Sequence, residues 1–197
     1  MTGPPYRKWL VLLLAGTISA PPSCWLYQQE QGNFHEVSKG QVYRSRQLSG
    51  EELAYYIDRY KITSILNLRG ENRGSRWYQE EQQVSSLLGR RHYDVGISAN
   101  HEVDDRTLDR ILSILRDAPK PILIHCKFGA DRTALIAAVY LYAIERKSSK
   151  HADQQLSLLY GHFPYLWSRS GAMDRSFWRY AKSHPVPSHD AMASGVR

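Results

Sequence analysis

Five residues separate Cys126 from Arg132, with Gly129 among them, and Thr133 follows directly in His125-Cys126-Lys127-Phe128-Gly129-Ala130-Asp131-Arg132-Thr133. A sulfur nucleophile and a guanidinium at this spacing bracket a chain long enough to curl its N–H groups into a nest around a tetrahedral oxyanion. Gly129 supplies the positive φ and the close backbone approach that such a curl needs. Arg132 offers a planar fork to two phosphate oxygens, a geometry that lysine does not match. Thr133 stands where its hydroxyl can hydrogen-bond the sulfur and help it depart when a thiophosphate breaks down. His125 reads as an orienting residue rather than a base, because a thiolate needs none. The chemistry indicated is transfer of a phosphoryl group onto Cys126, with Lys127, Phe128, Gly129, Ala130, Asp131 and Arg132 around the phosphate.

The flanking segments place this loop. Pro121-Ile122-Leu123-Ile124 reads as a buried strand, and the apolar run from Ala134 to Ile144 as a largely buried helix. At a strand-to-helix turn, backbone amides and the positive end of the helix dipole converge on an anion and favour thiolate over thiol. Upstream, 41–45 reads as a short strand, and 49–60 as a helix with Ser49 as N-cap and Leu53, Tyr56, Ile57 and Tyr60 at helical spacing. A strand over 62–68 ends at the charged loop 69–74, a helix spans 77–88, and a strand runs over 91–97. Asp104 or Asp105 caps a helix through Leu115 that carries Leu108, Ile111 and Leu112. Helical stretches over 151–161 and 171–182 complete the pattern. Strands alternating with helices predict an α/β fold, a central parallel-rich sheet flanked by helices with the reactive loop at the carboxyl end of a central strand.

His-Cys-x5-Arg-Thr resembles the signature of the cysteine-dependent protein tyrosine and dual-specificity phosphatases. Asn33-Phe34-His35-Glu36-Val37, Val42-Tyr43-Arg44-Ser45, Ser64-Ile65-Leu66-Asn67-Leu68-Arg69 and Tyr93 to Asn100 extend the likeness. Together they are similar to the plant and fungal atypical dual-specificity phosphatases and their bacterial relatives, over roughly residues 33–180. The resemblance implies a dual-specificity phosphatase-like fold and hydrolysis through a phosphocysteine intermediate, with no metal and no cofactor. Family substrates run from phosphotyrosine to phosphoinositides and inositol pyrophosphates.

The resemblance also implies a proton donor on the loop after the preceding strand, here Ser98 to Asp105, which holds Glu102, Asp104, Asp105 and His101. Asp104 is the leading candidate and Asp105 the next, and each reads equally as the N-cap of the following helix. Asp94 lies within the strand pattern and is set aside. Asp131 is similar to the loop acid of some phosphoinositide phosphatases, and reads also as the partner of a nearby cation or as a helix cap. A phosphoanhydride has a good leaving group and needs little acid help, so an indistinct acid is compatible with a pyrophosphate substrate. Lys127, Arg69 and Arg73 read either as contacts to further phosphates or as solvated charges. Phe163, Tyr165, Trp167, Phe177 and Trp178 read as core.

A net charge of +7 over 197 residues, with pI near 9.4, suits acidic partners: a phosphorylated protein, phosphoinositide or inositol phosphate, or anionic lipid. No dense basic run or recognised motif points to nucleic acid. In 1–20, Arg7 and Lys8 precede an apolar run to Ala20 that has the grammar of a signal peptide or membrane anchor and is short for a span. Export or membrane association through this end is therefore expected over a cytoplasmic location. Residues 21–32 read as linker, 33–183 as the phosphatase domain and 184–197 as a disordered tail. Cys24 and Cys126 are the two cysteines, too few for a disulfide framework, and export would require Cys24 to be removed or lipidated lest it pair with Cys126. Two other classes stay open: sulfur transfer of the rhodanese type, which Arg132-Thr133 disfavours, and a non-catalytic phosphate-binding module, which retention of both Cys126 and Arg132 disfavours.

Overall fold

The computed structural model describes residues 32–165 and 168–186. The expectations for 1–20, for the linker up to residue 31, for Cys24, for Trp167 and for the tail beyond residue 186 therefore lie outside the described residues.

Residue order sets the elements as β1 (His35–Ser38), β2 (Val42–Ser45), α1 (Gly50–Tyr60), β3 (Ser64–Asn67), α2 (Arg76–Leu87) and β4 (Arg91–Asp94). They continue as α3 (Asp105–Asp117), β5 (Ile122–His125), α4 (Asp131–Ala143), α5 (Ser149–Asp153), a 3-10 turn (Leu158–Tyr160) and α6 (Gly171–Ser183). The strands form one five-stranded sheet in the order β1-β2-β5-β3-β4. β2, β5, β3 and β4 run parallel, and β1 adds an antiparallel edge. This is the expected α/β architecture, a dual-specificity phosphatase-like sheet flanked by helices, with β5 at its centre. Register places the reactive loop: Ser45 and Asn67 both pair with His125, so three strands end on one line and Cys126 leaves from its middle.

Every residue of β2, β3 and β5 is buried, because the sheet is covered on both faces. Side chains alternate between two cores along these strands. Tyr43, Ile65 and Leu123 pack with Leu53 and Ile57 of α1. Val42, Leu66, Ile122 and Ile124 pack with α3, α4 and α6. Local chemistry starts and stops the helices. Ser49 and Glu52 form a reciprocal capping box on α1, whose carboxyl end closes on Lys61 in the left-handed conformation, φ 54°. Leu108, Ile111, Leu112 and Leu115 make the buried stripe of α3.

Several expectations change. The edge strand β1 has no counterpart in the sequence pattern: its Glu36 and Ser38 flank a register shift against β2, and its side chains are only partly covered, so it carries no clean alternation. The strand expected over 91–97 ends at Asp94, where the carboxylate is taken by Asn67 and Tyr78 and the chain turns toward Gly96. Helix 151–161 is interrupted. The Gln155 carbonyl accepts from Arg44, whereas a continuing helix would direct it to the amide of Leu159. Of the aromatics expected in the core, Phe177 is buried, while Phe163, Tyr165 and Trp178 stay exposed on the outer side of the carboxyl-terminal segment. Among the described residues no helix is long and apolar enough to cross a membrane.

Candidate active site

β5 delivers Cys126 to the rim of the sheet, where it is almost fully buried. The loop then presses against the end of β2. Gly129 has φ 71°, and a Cβ there would lie 2.6 Å from the Arg46 amide nitrogen and from the Ser45 carbonyl carbon. Any other residue would meet backbone, so the glycine is a steric necessity. α4 starts at Asp131 on Ala130, which supplies no capping side chain, so the first-turn amides keep their donors for an anion.

Arg132 lies beside the sulfur-bearing loop. Its Nη1 donates to the carbonyls of Leu68 and Ile97, each at 3.3 Å, just past the ends of β3 and β4. Its Nε is buried with no partner among the described residues. A buried donor without an acceptor costs on the order of 1–3 kcal/mol, which an incoming oxyanion would relieve. The Thr133 hydroxyl opens the continuously buried stretch of α4 and has no hydrogen-bond partner, the sulfur included, among the described residues.

The flanking cations separate. Lys127 and Phe128 stand exposed at the mouth, with the ammonium 5.1 Å from the ring centroid. Arg69 stacks on Trp77, Cζ 3.4 Å from the ring centroid, and its Nη1 donates to Gln47 Oε1 at 3.0 Å. Burial and the charge of Arg132 lower its pKa, opposed by Glu81 and Cys126, so this guanidinium feels the site directly. Arg73 instead turns to the surface and pairs with Glu71.

Support from behind leaves almost no trace in the sequence. Gln47 donates its amide N–H to the Lys127 carbonyl and its Nε2 to Glu81 Oε2 at 2.6 Å, while holding Arg69 through Oε1. Glu81, almost inaccessible, accepts from His125 Nε2 at 3.2 Å and from His92 Nε2 at 2.6 Å. Burial alone would raise its pKa, yet His125 and His92 hold it below the usual carboxylate range. Glu81 therefore remains an anion that holds the His125 ring in place. Asn33 ties the outer side of the loop, donating to the carbonyls of Phe128 and Tyr160. Arg44 holds the loop from inside, donating to Gly129 O at 2.8 Å. One signal is present: Arg44 is a charged residue inside a strand otherwise placed for burial.

Each of the candidate acids is engaged by a cation, a helix amide or a neutral donor. Asp104 caps α3, accepting from the Thr107 amide at 2.9 Å and the Thr107 hydroxyl at 2.8 Å, and these bonds lower its pKa. It lines a shallow cleft of about 190 Å³ with Gly96, Ile97, Ser98, His101, Glu102, Val103 and Thr107, a wall that includes neither Cys126 nor Arg132. Asp105 pairs with Arg179, and Glu102 with Arg175 and Arg179. Asp94 accepts from Asn67 and Tyr78. Asp131 sits 2.7 Å from His162 Nδ1, whose Nε2 lies 2.9 Å from Asp174, so the cation-pairing alternative describes it. Both ring nitrogens face carboxylates and both must donate, which makes His162 an imidazolium. Among the described residues no group of three or more His, Cys, Asp or Glu side chains is arranged to hold a metal ion.

Residues 33–174 match a family described as a Swiss Army Knife protein DSP-PTPase phosphatase domain. The inositol diphosphatase Siw14 of Saccharomyces cerevisiae is 36% identical over 109 residues, 53% of this chain and 37% of that protein. The match thus spans little more than a third of that curated relative. The solved core catalytic domain of S. cerevisiae Siw14, a PP-IP phosphatase captured with citrate, superposes with TM-score 0.57 at 25% identity, over 79% of this chain and 96% of that one. TpbA of P. aeruginosa shares the fold, with TM-score 0.55 at 19% identity over 77% of this chain and 92% of that one.

Proposed function

Because the chain belongs to the DSP-PTPase phosphatase-domain family, we propose that it is a cysteine-dependent phosphatase whose preferred substrate is an inositol pyrophosphate. The Cys126 thiolate attacks the terminal phosphorus, and the bond to the bridging oxygen breaks as the remaining phosphate departs with the electron pair. Arg132 and the loop amides hold the non-bridging oxygens as charge builds on them. Water then attacks the phosphocysteine, its proton passes to solvent, orthophosphate leaves, and the thiolate returns.

The observation that carries the choice of substrate is the commitment of every candidate carboxylate to a cation, a helix amide or a neutral donor. A placed general acid is worth about 10²–10⁴ in rate when the leaving group is an alkoxide or phenoxide. A phosphate leaving group is stable as an anion and forgoes that help. Arg69 and Lys127, cations beside the loop, suit the further phosphates of an inositol ring. The yeast relative's description as an inositol diphosphatase supports the same reading. Rhodanese-type sulfur transfer and non-catalytic binding find no support in this family.

A parallel panel tests it: an inositol pyrophosphate, inositol hexakisphosphate, a phosphotyrosyl peptide and phosphoinositide vesicles. The anhydride should be cleaved with kcat/KM at least about 10²-fold above the monoesters, and Cys126→Ser should abolish turnover while retaining phosphate affinity. Preference for the peptide or the lipid would overturn the substrate, and activity in the Ser variant would overturn the mechanism.

A further inference from the structure

Arg44 occupies the third position of β2 and has no accessible surface. Its two Nη groups meet only neutral oxygens. Nη1 reaches Gln155 Oε1 at 2.7 Å and Gln155 O at 3.3 Å, and Nη2 reaches Gly129 O at 2.8 Å and Ala130 O at 3.4 Å. Its Nε has no partner among the described residues, and Cζ lies 4.2 Å from the centroid of the Tyr160 ring. No carboxylate among the described residues neutralises it. Burial lowers its pKa to about 10, with Tyr160 and Cys126 acting in the opposite direction, so it stays charged at neutral pH. An enclosed cation normally has an ionised partner, and the group available to serve as one is the sulfur at the head of the loop.

The bonds to Gly129 O and Ala130 O carry a second consequence. In a trans peptide the carbonyl and the following N–H point in opposite directions. Drawing these two carbonyls inward turns the amides of Ala130 and Asp131 outward, toward the phosphate. We propose that Arg44 is a positioning residue for the reaction at Cys126, serving as the buried counter-cation of its thiolate and as the clamp that aims these two amides.

The other charged and titratable groups around the pair are accounted for. Arg132 approaches from α4 and Arg69 from the segment after β3. His125 on β5 is tied to Glu81. His35 on β1 has its pKa lowered by burial and by Arg44. Asp131 is matched by His162, and Tyr160 is the ring beneath the guanidinium.

The inference rests on Cys126 being the nucleophile, and alkylation tests it without any turnover. In the full chain, iodoacetamide labelling of the Cys126 peptide is followed by mass spectrometry as a function of pH, and rates are compared at a pH below the wild type's labelling midpoint. Arg44→Met should slow labelling about tenfold, the size of one favourable charge contact, and Arg44→Lys should recover part of that loss. Gln155→Glu leaves every Arg44 contact in place but sets a carboxylate where the 2.7 Å acceptor oxygen is. It should fold at least as stably and label about as slowly as Arg44→Met. Wild-type labelling rates in a folded Gln155→Glu protein would overturn the proposal, even if Arg44→Met fails to fold. Slow labelling of the wild type itself would instead overturn Cys126 as nucleophile.

Discussion

Replacing His162 by glutamine should destabilise the protein most near pH 6.5 and least near pH 10. The wild-type ring bridges Asp131 at the start of α4 and Asp174 in the first turn of α6, at 2.7 and 2.9 Å. Burial alone would lower its pKa, but the hydrogen bonds and charges of the two carboxylates raise it from 6.5 to about 9. The difference, 9 − 6.5, is about 2.5 pH units, or roughly 3 kcal/mol at about 1.36 kcal/mol per unit. The carboxylates keep 26% and 31% of their side chains exposed, so solvent screening reduces this to about 2 kcal/mol. Because the folded-state value lies above the unfolded one, this stability is fully present below about pH 6.5 and is lost as pH rises through about 9. For a domain of this size the gap in Tm between wild type and His162→Gln should be about 4–8 °C at pH 6.5. It should shrink toward whatever packing difference remains at pH 10. Calorimetric melts of both proteins across pH 6–10 measure it. A gap of constant size over that range would refute the ionic clamp.

The loop and its neighbours give three shorter predictions. Arg132→Lys keeps the charge and loses the fork, so kcat/KM on any phosphate substrate should fall at least about 10²-fold; a rate within threefold of wild type would contradict the clamp. Asp104→Asn preserves a good N-cap, so Tm and turnover of the anhydride should hold steady, whereas a loss of about 10²-fold in steady-state assays would restore Asp104 as proton donor. Gly129→Ala places a methyl group 2.6 Å from backbone at φ 71° and should cost about 2–3 kcal/mol with loss of phosphate binding; an unperturbed denaturant midpoint would show that the loop has room to spare.

What is legible in the residues is whatever is written locally. Ser49 and the spacing from Leu53 to Tyr60 announce α1, the spacing from Leu108 to Leu115 announces α3, and Cys126 to Arg132 between an apolar strand and an apolar helix announces the site. What escapes depends on partners distant in sequence. β1 exists because β2 offers it an edge, not because His35 to Ser38 alternate cleanly. The helix expected over 151–161 yields to Arg44, which lies 111 positions earlier and takes the Gln155 carbonyl. Glu81 looks like one more acid on a polar helix until His92 and His125 close around it. Asp131 is legible as a residue seeking a cation, but no local pattern names His162 as that cation.

Arg44 and Arg69 both feel the charge of Cys126, Arg132 lies close enough to Arg69 to lower its pKa, and none of the three forms an ion pair with a carboxylate among the described residues. Such a cluster repels itself until a multiply charged guest arrives, and orthophosphate is as good a guest as the group it came from. A pocket that draws in the substrate's phosphate should also hold the released one, so added orthophosphate should inhibit turnover competitively in steady-state assays.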